Sequence, residues 1–104
     1  MLEYVSLTPA IFGGVAVSTT TDAAVAAVSS ASTTGKIFGG GIIFNPTGSP
    51  AGQFSEDGFN QDIRSIPAGP SIVIRPAGLG SSSGLFVRRI SGGSNLAGVV
   101  ATLW

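Results

Sequence analysis

Glycine and proline divide this chain into short pieces. It holds 16 glycines and 6 prolines in 104 residues, and turn-forming clusters recur about every eight to twelve residues over most of its length, the spacing of an all-β sandwich or barrel. Several of the pieces are rich in β-branched and aromatic residues, which fit a pleated surface. Strands are predicted over residues 2–7, 15–20, 37–44, 62–66, 71–75, 84–90 and 99–104. Asn45-Pro46-Thr47-Gly48-Ser49-Pro50 forces a turn, because each proline fixes φ and removes a ladder donor. Glycines 39 to 41, inside the third strand, mark a bulge, a bend or a close backbone approach. The connections suit hairpins, and nothing in them divides the chain into two domains. The expected fold is all-β: a small antiparallel β-sandwich or barrel over residues 21–104. Residues 1–20, lacking a clear strand partner, are expected as an extended N-terminal arm that reaches neighbours.

Two stretches carry competing readings. Residues 21–33, TDAAVAAVSSAST, combine alanines and an Asp22 or Thr21 N-cap that favour a short helix. Two turns of helix with a serine- and threonine-rich exit are poorly stable without packing, so an extended segment is expected. Ile11-Phe12-Gly13-Gly14 returns as Ile37-Phe38-Gly39-Gly40, but the sequences diverge after the glycines. A single pair falls short of the three or so units that a solenoid needs, which leaves coincidence as the expectation.

The composition limits the chemistry. Charged residues make up 10% of the chain, against about 25% for an ordinary soluble domain, and five of each sign cancel. A neutral, apolar surface suits a protein partly covered by neighbours. No basic stripe exists to hold a phosphate backbone, so nucleic acid is not an expected partner. No apolar run approaches a membrane span, and Glu3 and Tyr4 are foreign to a signal peptide. Serines and threonines are plentiful, yet without histidine they lack the usual general base. Lys36, the lone lysine, is read as an exposed strand-edge residue. No catalytic residue and no cofactor is expected.

Glu56, Asp57 and Asp62, in SEDGFNQD, form the lone carboxylate cluster. Their oxygens could serve calcium, but the EF-hand order is missing, and a solvated loop turning at Asp57-Gly58 is the plainer reading. Arg88 and Arg89 are adjacent on a predicted strand, so they point to opposite faces. Either one of them turns inward, to a sheet edge or to another chain, where arginine is favoured in desolvated ion pairs and interfaces, or the two are a plain surface pair near a strand end. Arg64 and Arg75 follow the same logic more weakly. Trp104 either caps the core, the commoner fate, or anchors on a neighbour, and Tyr4 and Phe12 raise the same choice. Tyr4, Phe12, Arg88, Arg89 and Trp104 are therefore the interface candidates.

The stretches GGIIFNPTGSPAGQF, IRSIPAGPSIVIRPAG and GLFVRRISGGSNLAGVVATLW, within about residues 37–104, resemble small accessory structural proteins of tailed bacteriophages. The shared pattern is a strand ending in an Asn-Pro turn, a strand entered through a Pro-x-Gly corner, and a final pair rich in small residues. The resemblance implies a virion protein without an active site: a capsid decoration or cement protein on the capsid surface. Its partners would be the major capsid protein and, as a homo-oligomer, its own copies. The alternative is a tail or fibre module that binds host surface glycans through QFSEDGFNQD.

Overall fold

The computed structural model describes residues 12–13, 16–29, 37–38, 40–75, 80–81 and 84–104. None of these is helical, and eleven strands are formed among them. The first sheet runs in the order β1 (Phe12–Gly13), β11 (Ala97–Leu103), β5 (Gly41–Asn45) and β8 (Ser71–Arg75), with β2 (Val17–Ser18) also on β11. The second runs β3 (Val25–Val28), β10 (Leu85–Arg89), β6 (Gly52–Ser55) and β7 (Arg64–Ile66). A minor ribbon joins β4 (Ile37–Phe38) to β9 (Gly80–Ser81). Every pairing is antiparallel.

The core is built by alternation. Along β11, Val99, Ala101 and Leu103 are buried while the residues between them are half-exposed. Ile43 does the same on β5, and Leu85 and Val87 on β10. These side chains, with Val17, Ala27, Val28, Phe54, Ile66 and Leu96, form one apolar cluster between the two sheets. Burying each of the larger ones is worth about 1.5–3 kcal/mol.

Two bulges adjust the strands to this core. The register between β3 and β10 shifts at Leu85 and Phe86, which leaves Ala27 as an extra residue and lets Ala27 and Val28 both reach the interior. On β11 the shift falls at Gly98, whose φ of 91° lies in a region that side chains disfavour.

The extended reading of residues 21–33 holds over Val25–Val28. Of the segment expected as an arm, residues 1–11 lie outside the described residues. Phe12–Gly13 and Val17–Ser18 are laid along β11, and Val17 enters the core. The arm boundary at residue 20 therefore needs correction, because β11 supplies the strand partner that the sequence did not reveal. The strand expected over 2–7 also lies outside the described residues. Strand β6 was not expected at all.

Buried polar side chains close the loops. Asn45 donates from Nδ2 to the carbonyls of Pro50 and Pro67, both at 2.9 Å, stapling two turns together. Gly69 N–H donates to the Ser49 carbonyl at 2.9 Å, and Ser49 Oγ accepts from Ala97 N–H at 3.0 Å. Thr19 exchanges two hydrogen bonds with the Leu96 backbone.

The corner at Gly69 has no room for a side chain: a Cβ there would stand 1.7 Å from the Pro46 carbonyl oxygen. Gly69→Ala is expected to destabilise the fold by about 3 kcal/mol, because backbone has to move. Urea denaturation followed by Trp104 fluorescence measures it; an unchanged midpoint would show that the two turns are not in contact.

Candidate functional site

The acidic stretch is a self-contained turn. Asp57 Oδ1 accepts from Ser55 Oγ (2.7 Å) and Asn60 N–H (3.1 Å), while Oδ2 accepts from the N–H groups of Gln61 (2.9 Å) and Asp62 (3.0 Å). Ser55 Oγ in turn accepts from the N–H groups of Asp57 and Phe59. The Ser55 hydroxyl and the backbone N–H groups hold the Asp57 carboxyl down at about 2. Phe59 takes a left-handed φ of 67°, secured by its bond to Ser55 and by Arg88, whose guanidinium lies 4.0 Å from the ring centroid.

Glu56 joins the two sheets. Its Oε1 accepts from Arg75 Nε at 2.7 Å, and its Oε2 from Arg64 Nη2 at 2.5 Å. Arg75 belongs to β8 in the first sheet and is buried; Arg64 belongs to β7 in the second and lies over the Phe54 ring, 4.5 Å from its centroid. Arg64 Nη2 also reaches Asp62 Oδ2 at 3.0 Å, an oxygen that accepts from Glu56 N–H as well. The three calcium candidates thus serve arginines and backbone donors. No group of three metal-ligand side chains converges among the described residues.

Arg88 and Arg89 do diverge, and each is engaged within the chain. Arg88 donates to Gln53 Oε1 at 2.8 Å across the outer face of the second sheet. Arg89, at the end of β10, pairs with Asp22 (2.7 Å) and donates to Asn95 (2.8 Å), tying two loops at one end of the sandwich. Arg89 and then Gly92 N–H hold the Asp22 carboxyl below its usual range. The desolvated ion pair falls instead to Arg75. Trp104 does not cap the core: its backbone exchanges hydrogen bonds with Gly40, its ring lies against that glycine, and it is 38% exposed. Tyr4 and Lys36 lie outside the described residues, and Phe12 is placed through its backbone alone.

A different surface stands out. On the outward face of the first sheet, Ile42 (37%), Phe44 (40%), Ile72 (63%) and Ile74 (71%) are exposed. They are direct cross-strand neighbours, Ile42 opposite Ile74 and Phe44 opposite Ile72, and Val100 and Thr102 continue the rows onto β11. Trp104 closes the corner, one step beyond Thr102. None of these side chains is charged. Exposed apolar groups are ordinary singly, and a contiguous set on one sheet face is the less common arrangement. The signal in the sequence was the near-continuous apolar runs GIIF and SIVI, which put apolar side chains on both faces of their strands.

The ion cluster and the Asp57 turn make two testable predictions. Glu56→Ala leaves the buried Arg75 without its carboxylate and is expected to cost about 3 kcal/mol in chemical denaturation; a loss below about 1 kcal/mol would mean that the pair is not desolvated. Asp57 has a depressed folded pKa, so its stabilisation is complete above its ordinary value of 3.8 and is lost as pH falls towards about 2. Asp57→Asn should flatten the acid limb of stability against pH between those values, and an unaltered limb would contradict the assignment.

No protein-family model matches the chain, no curated protein matches it, and no solved structure matches its fold.

Proposed function

We propose that this chain is a structural protein that acts by docking, and that it decorates or cements the capsid of a tailed bacteriophage by binding the major capsid protein. One observation carries the reading: the uncharged outward face of Ile42, Phe44, Ile72 and Ile74 on a chain with few charges to keep it apart from neighbours. Desolvating such a face releases about 25 cal/mol per Å² of apolar surface, and no charge has to be stripped of water to do it. The resemblance of residues 37–104 to accessory virion proteins supplies the kind of neighbour. A repeating shell suits the face, since each identical site needs only the same modest contact.

Particles purified from the strain that carries the sequence test this by quantitative mass spectrometry. The expected result is on the order of hundreds of copies per particle, as a shell coat requires. A single ring's worth of copies would move the protein to the tail, and its absence would end the reading. Phe44→Glu should lower occupancy at least about tenfold while leaving the urea midpoint nearly unchanged, because the side chain already meets solvent.

A further inference from the structure

Among the described residues β8 is the last strand of the first sheet. Trp104 and Gly40 exchange hydrogen bonds, so by the alternation of antiparallel ladders Gly40, Ile42 and Phe44 bond towards β11. Gly41, Ile43 and Asn45 then bond towards β8, where they meet Arg75, Val73 and Ser71. Ile72 and Ile74 are left with their N–H and C=O groups directed away from the sheet. Among the described residues no strand lies beyond them. Natural edges are blunted by prolines, charges or bulges. This one carries none between Pro70 and Pro76, since Arg75 turns inward to Glu56.

We infer that two copies of this chain join edge to edge through β8, about a two-fold axis at Val73. In that register Ile72 of one copy faces Ile74 of the other, and the reverse. Each such pair exchanges two N–H to C=O bonds, four in all. Any other register that keeps outward residues beside outward residues pairs fewer of the five residues of β8. Pro70 and Pro76 bound the strand in the sequence and have no N–H, so neither can donate to lengthen the ladder. The pairing is closed, which gives a dimer rather than a fibre. A net charge of zero sets no repulsion against it.

The side chains of Ile42, Phe44, Ile72 and Ile74 stand off the face of the sheet, out of the line of the edge hydrogen bonds. Edge pairing leaves that face open and continues it into the second copy's, doubling the docking surface. This use of the dimer rests on the function proposed above; the pairing itself stands on β8.

Sedimentation equilibrium of the full chain tests it. The wild-type chain should form a dimer and nothing larger. Ile72→Lys/Ile74→Lys puts like charges opposite one another twice, and Ile72→Lys/Ile74→Glu puts opposite charges there. The second variant should dimerise at least about tenfold more tightly than the first. Equal association of the two variants, a monomeric wild-type chain or open-ended polymers would each overturn the inference. Should either variant fail to fold, hydrogen exchange on the wild-type chain decides: the amides of Ile72 and Ile74 gain protection as concentration rises, and concentration-independent exchange refutes the dimer. Phe44→Glu keeps the dimer while losing the particle, so failure of the docking role and failure of the pairing are told apart.

Discussion

A pleated strand sends alternate side chains to opposite sides, and this chain places apolar residues in both phases. On β5 the consequence is immediate: Ile43 is sealed in the core while Ile42 and Phe44 meet solvent on either side of it. On β8, Val73 packs inward and Ile72 and Ile74 stand outside. One sandwich of this length can cover only one face of each sheet. The second apolar face of the first sheet follows from that geometry.

With few charges to spend, the chain uses them inside. Three of its four arginines hold carboxylates, and Arg64 and Arg75 share the one on Glu56. The latter pair comes from strands that end the two sheets among the described residues, so the carboxylate clamps the sandwich at that side. A buried ion group of this kind adds little to stability over an apolar one, but removing one member leaves a charge stranded. Asn45, Ser49 and Thr19 serve the neutral version of the same task, satisfying backbone groups at the turns from within. The Pro46–Pro50 and Pro67–Pro70 turns are thereby held against each other, and β5 and β8 start in register.

Much of the fold was legible beforehand. The spacing of turns and the β-branched runs gave the all-β class, and the strands at 71–75 and 99–104 follow apolar stretches bounded by proline, glycine or asparagine. Gly52-Gln53-Phe54-Ser55 went unrecognised because its strand character comes from neighbours: Phe54 faces the core and Gln53 meets Arg88 across the ladder. The prediction that Arg88 and Arg89 diverge was sound, since it needs only the pleat. Their partners, Phe59, Gln53 and Asp22, are distant in sequence and set by the packing of loops. The acidic cluster was visible as composition, but its assignment to arginines was not.

By itself the sequence determined the short strands, the placement of turns and the scarcity of charge, because backbone preference and composition are local properties. Tertiary structure alone decided which apolar residues are covered. Ile43 and Ile42 are chemically alike and adjacent, and only the position of the opposing sheet puts one at 0% exposure and the other at 37%. Burial is a relation between strands distant in sequence, and no window of residues contains it.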